Sequence, residues 1–196
     1  MSTRDPSSVA GLTFPGAIGK AFSSGPSEVE IEVLGLFDQF RNPVVRYAIS
    51  LGISSHDAEE VAQEVFLSLF QHLRLGKCRR NLRGWIFRVA HNLALKKRQA
   101  NQVSRETTIS DRAIAEEQLD PGPDPESQLS FRQRKQRLLA TVKALPETDQ
   151  YCLQLRAEGL RYREIAAVLG ISLGAVANSL AQSLARLTRA DGYSKI

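Results

Sequence analysis

Cysteine and long apolar runs are the clearest absences from this sequence. Only two cysteines, Cys78 and Cys152, occur among its 196 residues. They are too far apart for a disulfide framework or a zinc site built on paired cysteines, so we expect two reduced thiols. No stretch approaches the roughly 18 uncharged apolar residues that a membrane helix needs, and the first residues lead into Gly, Pro and Ser instead of the apolar core of a signal peptide. These absences predict a cytoplasmic chain without membrane insertion.

Signatures of catalysis are missing as well. The sequence has no Gly-rich phosphate loop and no local arrangement of Ser, His and Asp that indicates a nucleophile. Glu60 and Glu64, four residues apart on a predicted helix, are a candidate metal pair, as in a nuclease. We expect His56 to lie outside that helix, which leaves the pair without a third ligand at a suitable spacing, so a solvated acidic face is favoured. His72 and His91 are predicted to be surface residues, and we expect neither an enzyme nor a cofactor.

Strand signals are also absent, since no alternating run of β-branched residues occurs. Apolar residues recur at three- and four-residue steps, which predicts an all-α protein of two small helical domains. The predicted organisation is a flexible tail at 1–27, one domain at 28–100, an acidic flexible linker at 101–130 and a second domain at 131–196. The linker has room for one short helix, near Ala113–Gln118.

The first domain is predicted to be a bundle of three or four helices. Pro43 interrupts its first apolar pattern, so either a new helix begins there or one helix kinks. Ser54 to Asp57 is similar to a capping box, and the amphipathic helix that follows ends at Gly76. Asn81 is a good N-cap for a third, basic helix. The predicted buried residues of the second and third helices are Ala58, Val61, Ala62, Val65, Phe66, Leu69, Leu73, Leu82, Ile86, Val89, Ala90 and Leu93.

Two helices joined by a glycine turn are predicted in the second domain. Pro146, at a first helical position, opens the helix before them, and Gly159 ends that helix. The segments Tyr162–Leu169 and Leu173–Ala190, joined at Gly170, have the spacing of a DNA-binding helix-turn-helix. Many helical hairpins share this spacing, so it favours DNA binding without establishing it.

Charge is sorted along the chain. Residues 47–73 carry four acids and no Lys or Arg, residues 74–105 carry ten basic residues and no acid, and residues 106–126 carry seven acids and one base. A basic segment of this length favours a polyanion or a neighbouring acidic element as its partner. The interleaved Trp85, Phe87, His91 and Asn92 favour nucleic acid over a merely solvated face, because rings stack on bases and amides bond base edges. The sorting also predicts attraction between the acidic linker and the basic helices.

Two stretches carry a family resemblance. An acidic helix ending in Gln63-Glu-Val-Phe66 is followed by the arginine-rich segment Leu82–Leu93, which contains Gly-Trp and a late Asn. The second stretch runs from Leu145-Pro-Glu through the predicted helix-turn-helix to Leu187. Together they resemble regions two and four of bacterial sigma factors of the extracytoplasmic-function class. The resemblance covers residues 28–100 and 131–190.

The resemblance implies an initiation factor that binds core RNA polymerase and promoter DNA, with an anti-sigma factor as a further partner. The acidic helix would dock on the clamp helices of the polymerase largest subunit through Asp57, Glu60, Gln63 and Glu64. The basic helix at 81–98 and the loop before it would contact and open the minus-ten element. For Trp85, packing in the helical core is the favoured alternative. The DNA-binding residues implied are Lys77, Arg79, Arg80, Arg83, Trp85, Arg88, Asn92, Lys96, Lys97, Arg98, Arg161, Arg163, Asn178, Ser179 and Gln182.

The last predicted helix departs from the family's pattern. Family members usually carry several arginines there, whereas residues 173–185 include no charged side chain. Asn178, Ser179 and Gln182 can bond base edges, but phosphate anchoring from this helix is missing. Two alternatives to reading the minus-thirty-five element stay open for the second domain: docking on the polymerase flap and pairing with a regulator. A helix-turn-helix regulator that binds DNA without polymerase, and a sigma-like protein that sequesters a partner, stay open as alternatives.

Overall fold

Helices account for all the regular structure in residues 27–106 and 125–191, the ranges that the computed structural model describes. Since no strand occurs in those ranges, the all-α prediction is confirmed. Most of the predicted tail, and the predicted short helix in the linker, lie outside them. The helices are α1 (Glu28–Ser50), α2 (Ser55–Arg74), α3 (Leu82–Glu106), α4 (Pro125–Lys143), α5 (Glu147–Ala157), α6 (Tyr162–Leu169) and α7 (Leu173–Ala190).

The helices form two blocks that pack on each other. In the first block α1, α2 and α3 contact one another, and in the second block α7 packs against α4, α5 and α6. Between the blocks, α3 packs on α6 and α1 packs on α5. The buried apolar side chains of both blocks form one continuous cluster. No single helix in the described ranges is long and apolar enough to cross a membrane. In the same ranges, one pair of helices, α6 and α7, reaches that length and composition when taken together, but it is bent by 107°.

Local sequence signals set most of the helix ends. Ser27 and Glu30 form a capping box at the start of α1, and the Ser54 hydroxyl accepts the Asp57 N–H at 3.1 Å at the start of α2. Gly76 follows α2 with a φ of +63°, a conformation that glycine adopts without strain. Pro43 lies inside α1, which runs through it as one helix, so no new helix begins there.

The helices extend further than the predicted linker limits. α3 continues to Glu106 and α4 begins at Pro125, whereas the linker was predicted at 101–130. Residues 99–103 contain no glycine or proline that would stop α3, and proline fits the first position of a helix because its missing N–H is not needed there. Pro146 is the N-cap of α5 and not its first helical residue.

The buried face of α2 matches its prediction, and that of α3 is shifted from it, because Leu82, Val89 and Leu93 are only partly buried. All seven apolar residues predicted for α2 are buried. On α3, Ile86 and Ala90 are buried as predicted, and Phe87 and Ala94 are buried as well. The prediction that His91 lies at the surface is wrong, since it is 7 % exposed. The physical reason is that α3 is covered on two sides, by the first block and by α6.

Leu69 tests the packing between α2 and its neighbours. Its side chain is fully buried, whereas Leu67 on the same helix is 64 % exposed. We expect Leu69→Ala to lower the free energy of unfolding by about 2–5 kcal/mol, because it removes buried methyl groups and leaves a cavity. Leu67→Ala is the matched control and should change it by less than about 0.5 kcal/mol. Urea unfolding of both variants checks this, and equal losses would contradict the assigned core.

Candidate functional site

A polar stripe runs along the solvent-facing side of α3. Arg88, Asn92 and Lys96 follow one another at four-residue steps and are exposed, so they project from one side of the helix. Trp85 borders this stripe but is half-buried against the His72 ring, with centroids 4.8 Å apart. We call Arg88, Asn92 and Lys96 the α3 stripe. It offers two cations for phosphates and an amide for a base edge.

The loop before α3 adds more positive charge beside the stripe. Lys77, Arg79 and Arg80 are all exposed, and Arg79 forms an ion pair with Glu32 at 3.1 Å. Asn81 enters α3 with a φ of 55°, and its Oδ1 accepts the Gly84 N–H at 3.2 Å. Asparagine tolerates this left-handed conformation better than most residues. The loop therefore turns sharply into α3 and keeps its basic side chains close to the start of that helix.

The predicted polymerase-binding residues fall into two groups. Gln63 and Glu64 are exposed on α2. Asp57 and Glu60 instead bind α3, because the Lys97 ammonium lies 2.5 Å from Glu60 Oε2 and 3.3 Å from Asp57 Oδ1. Lys97, which was predicted to bind DNA, thus joins α3 to α2.

Ionisation at this junction favours the charged forms. The hydrogen bond and positive charge of Lys97 lower the pKa of the Glu60 carboxyl. Partial burial raises the pKa of Asp57, but hydrogen bonds from Ser54, Asn101 and Lys97 outweigh it, so the net shift of this pKa is downward. The two acids raise the pKa of Lys97 in turn. The junction stays ionised at neutral pH.

Arg83 and Arg98, two further predicted DNA-binding residues, contact the second block. Arg83 Nη2 donates to the carbonyl oxygen of Glu158 at 2.6 Å. Arg98 Nη1 lies 2.7 Å from Glu147 Oε1 and donates to the Tyr151 hydroxyl at 3.1 Å. Both arginines therefore point away from the α3 stripe, and neither presents its guanidinium to DNA in this arrangement.

His91 lies between the two blocks. Its Nδ1 shares a 2.8 Å hydrogen bond with the Tyr47 hydroxyl of α1, and its ring meets that of Tyr151 of α5 edge-on at 5.2 Å. Burial lowers the pKa of His91, the Arg98 charge lowers it further, and Glu147 opposes both. Burial and the hydrogen bond to Glu147 raise the pKa of Tyr151 to about 12. Neutral imidazole is thus the favoured form at this junction.

The helix-turn-helix has the predicted limits. Gly170 makes the turn between α6 and α7 with a φ of +68°, and Ile165 and Val176 are fully buried on the two helices. Of its predicted DNA-binding residues, Ser179 is 8 % exposed. The prediction that Ser179 binds DNA is therefore corrected, because it lies on the side of α7 that packs into the block. The exposed predicted residues are Arg161, Arg163, Asn178 and Gln182.

A wide groove of about 860 Å³ separates the start of α3 from the helix-turn-helix. Asn81 lines one side, and Arg161, Arg163 and Ala177 line the other. The basic side chains that line this groove therefore come from the second block, and the first block contributes Asn81. No cluster of three or more His, Cys, Asp or Glu side chains within the described parts of the chain has a metal-binding arrangement.

Sequence reasoning missed the side chains that join the blocks. Arg46 of α1 binds the Glu158 carboxylate through two hydrogen bonds, of 2.7 and 3.1 Å. Both residues are charged and lie 112 positions apart, so no local pattern links them. Asn101 was also missed, although it lies one turn after Lys97 and donates to Asp57 Oδ2 at 2.9 Å. The one available signal was the acid-free basic segment. It predicted attraction to the acidic linker, most of which lies outside the described residues.

Two family models match the chain. The model of Sigma-70 region 2 matches residues 36–103, and that of Sigma-70, region 4 matches residues 135–187. The first match contains the α3 stripe and the polar face of α2, and the second contains the helix-turn-helix.

Curated relatives agree with these models. The extracytoplasmic-function (ECF) sigma factor SigE of Mycolicibacterium smegmatis is 32 % identical over 148 residues, which are 72 % of this chain and 54 % of the relative. This chain thus spans about half the length of that relative. The ECF sigma factor RpoE of Cereibacter sphaeroides is 29 % identical over 78 % of this chain and 82 % of its own length. The ECF sigma-E factor of Escherichia coli is 29 % identical over 68 % and 76 %, respectively.

Solved structures share the fold. CnrH in complex with the cytosolic domain of CnrY matches with a TM-score of 0.53 and 22 % identity, over 83 % of this chain and 89 % of that one. The sigma factor RpoE in complex with the anti-sigma factor NepR from Bartonella quintana matches with a TM-score of 0.60 and 16 % identity, over 84 % and 99 %.

His91 makes the free energy of unfolding depend on pH at values above those at which carboxylates titrate. Its pKa is lowered in the folded chain from the usual value of about 6.5. The contribution of His91 to the free energy of unfolding is therefore fully present above about pH 6.5. It is lost as the pH falls from there through the pKa that His91 has in the folded chain. We expect the melting temperature to fall between about pH 7 and 5, and to fall less in His91→Gln, whose amide can still bond Tyr47. Parallel pH profiles of the two proteins would contradict this assignment.

Proposed function

Since the chain belongs to the sigma-70 family of transcription initiation factors, in its extracytoplasmic-function class, we propose that it binds core RNA polymerase and directs it to promoters. The observation that carries the proposal is the separation of two exposed surfaces on neighbouring helices. Gln63 and Glu64 lie on α2, and the α3 stripe lies on α3. One chain can therefore hold an enzyme and a nucleic acid at the same time.

We propose that the polymerase-binding surface is centred on Gln63 and Glu64. Leu67, one turn further along α2, is 64 % exposed and adds an apolar contact next to the carboxylate. An exposed carboxylate suits a basic helical partner, and the apolar neighbour excludes water around it. Asp57 and Glu60 lie at the edge of this surface. Their charge is partly compensated by Lys97, so their part in binding is smaller than that of Glu64.

The DNA-binding surface proposed here is the α3 stripe together with the loop Lys77–Arg80. Arg88, Lys96, Lys77 and Arg80 neutralise phosphates, which fixes the position of the strand. Asn92 lies between the two cations of the stripe and bonds the edge of a base in the minus-ten element. A base drawn out of the duplex is held beside α3 and the loop. Arg83, Lys97 and Arg98 do not belong to this surface in the packed arrangement.

The second block is proposed to contact duplex DNA near the minus-thirty-five element with little help from α7. Asn178 and Gln182 are exposed and can bond base edges, while Arg161 and Arg163 supply the phosphate contacts from α6. Few phosphate contacts predict weak binding with a shallow salt dependence. Docking of this block on the polymerase flap remains the competing proposal for the exposed, uncharged side of α7.

We propose a binding role without catalysis, in the cytoplasm, and the family and the chemistry of these surfaces support it. The family acts by binding polymerase and DNA. The solved structure from Bartonella quintana holds its sigma factor with an anti-sigma factor, and we propose that a protein of that class regulates this chain as well. Copurification with core polymerase, followed by run-off transcription from a promoter library, tests the proposal. Transcripts that share a minus-ten sequence support it, and failure to capture polymerase favours a free-standing DNA-binding regulator.

Glu64→Arg should weaken capture of core polymerase by at least about tenfold, because it places like charges against a basic partner. The measurement is the dissociation constant for core polymerase, with circular dichroism to show that the helices persist. Asp38→Arg is the matched control, since Asp38 is an exposed acid on α1. Equal affinity of Glu64→Arg and the control would remove Glu64 from the polymerase surface.

Asn92→Ala should leave polymerase capture unchanged and reduce promoter opening, because the base-edge bonds of the amide are lost. Such a contact is worth about 1–3 kcal/mol. Permanganate footprinting of the minus-ten element measures the opened fraction. Gln102→Ala, also on α3 and exposed, is the control that should open promoters normally. Normal opening by Asn92→Ala would show that recognition rests on other residues.

A further inference from the structure

We propose that His72 is a positioning residue of the DNA-binding surface. It holds the loop Lys77–Arg80 and the ring of Trp85 in one arrangement, so that the loop accepts one base of the minus-ten element and rejects others. This inference rests on the proposed function and adds to it the residue that sets base discrimination. His72 is half-buried at the end of α2, and it acts on DNA only through the loop.

The backbone of His72 holds the start of the loop. α2 ends in a Schellman motif, in which the Gly76 N–H donates to the Leu73 carbonyl oxygen at 3.0 Å and the Lys77 N–H donates to the His72 carbonyl oxygen at 3.2 Å. Gly76 has the positive φ that this motif requires. The chain therefore turns back across the last turn of α2, and the residue after Lys77 comes within reach of the imidazole.

The side chain of His72 holds the next peptide of the loop. Its Nε2 lies 3.0 Å from the carbonyl oxygen of Cys78. A carbonyl oxygen can only accept, so Nε2 carries the hydrogen and donates it. Because a trans peptide is planar, the Arg79 N–H on the opposite side of this peptide points away from His72. That N–H has no acceptor among the described residues, so it can donate to an acceptor on a base.

The same imidazole joins the loop to α3. Its ring lies 4.8 Å from the ring of Trp85, with 44° between the two planes. Trp85 precedes Arg88, the first residue of the α3 stripe, by about one helical turn. One side chain thus contacts both the loop and the helix that are proposed to hold the extruded base. The ion pair of Arg79 with Glu32 ties the loop to α1 as well.

A loop held in this way is ordered before DNA binds. Lys77 and Arg80 stay exposed and can contact phosphates from fixed positions. A mobile loop would bind more weakly, because only a fraction of the chains would have the competent arrangement. A mobile loop would also rearrange around several different bases, which lowers the difference between their affinities. His72 therefore controls which base is accepted as well as how tightly it is held.

Simple packing does not require a nitrogen donor at this position. A phenylalanine ring would fill the space beside Trp85, but it could not bond Cys78. The bond from His72 to Cys78 is exposed, so water can replace it when the protein unfolds and its loss should barely change the melting temperature. A positioning role and a packing role therefore predict different results.

Two substitutions separate the two contacts of His72 in the full chain. His72→Phe keeps an aromatic ring beside Trp85 and removes the donor to Cys78. His72→Gln keeps an N–H donor and removes the ring, so it is the conservative variant that should rescue the loop. Gln71→Ala is the matched control, because Gln71 is the exposed neighbour of His72 on α2.

The first measurement is made on the free chain. Nitrogen-15 relaxation gives backbone order parameters for residues 77–81, and the single tryptophan, Trp85, reports its own contact by fluorescence. We expect order parameters near about 0.85 for the parent, His72→Gln and Gln71→Ala, and below about 0.6 for His72→Phe. The emission maximum should move to longer wavelength in His72→Gln alone. Loop order that falls in both His72 variants, or in neither, overturns the positioning role.

The second measurement uses the holoenzyme that each variant forms with core polymerase. Permanganate footprinting gives the opened fraction on promoters that differ by one base at a time across the minus-ten element. His72→Phe should lower the discrimination between bases about threefold to tenfold at one position and leave it unchanged at the others. His72→Gln and Gln71→Ala should discriminate as the parent does, and all four proteins should bind polymerase equally.

A loss of opening by His72→Phe that is uniform across the minus-ten positions would mean that the loop contacts phosphates alone, and it overturns the role in base discrimination. Discrimination by His72→Phe equal to that of the parent overturns it as well. If no form of the chain opens a promoter, the proposed function fails. The order parameters of the free chain then still decide whether His72 holds the loop.

Discussion

The covering of α3 on two sides is the constraint on which the rest of the structure depends. Ile86 and Ala90 pack into the first block, while Phe87 and Ala94 extend the buried face round the helix, toward the side where α6 packs. Only one side of α3 is left for solvent. That single remaining side carries Arg88, Asn92 and Lys96, so the packing of the helix decides which polar side chains of α3 face solvent. The same packing brings the two blocks together and places the helix-turn-helix beside the start of α3.

Residues 74–105 carry ten basic residues and no acid. Ion pairs and hydrogen bonds within the chain decide which of these positive charges stay exposed to a partner. Arg79, Lys97 and Arg98 each find a carboxylate on another helix, and Arg83 finds a backbone carbonyl. Of the other described cations in this segment, Arg74 ends α2, and the rest lie on the α3 stripe and the loop before it. A count of positive charges in the sequence therefore overestimates the proposed DNA-binding surface. Acids supplied by α1, α2 and α5 define its edge.

The elements that local patterns control were predictable, and the contacts between distant elements were not. The buried stripe of α2 and the limits of α6 and α7 follow from apolar periodicity, Ser caps and Gly170, which act within a few residues. His91 was misplaced because a histidine on a basic helix looks solvent-exposed until Tyr47 and Tyr151 are known to surround it. Ser179 was misplaced because a small hydroxyl fits either side of α7. At the candidate site, the types of residue were predictable. That Arg83, Lys97 and Arg98 pair within the chain could not be predicted without knowledge of their partners.

The bond from Arg83 to the Glu158 carbonyl has a consequence for how this sequence can vary. A backbone oxygen is present whatever side chain occupies position 158, so substitution there cannot delete that acceptor. The next residue is far less free. Gly159 has a φ of +83°, and a Cβ atom at that position would lie 2.6 Å from Arg83 Nη2. Substitution of Glu158 therefore removes the acceptor of Arg46 but not that of Arg83, whereas the positive φ at position 159 opposes every residue except glycine.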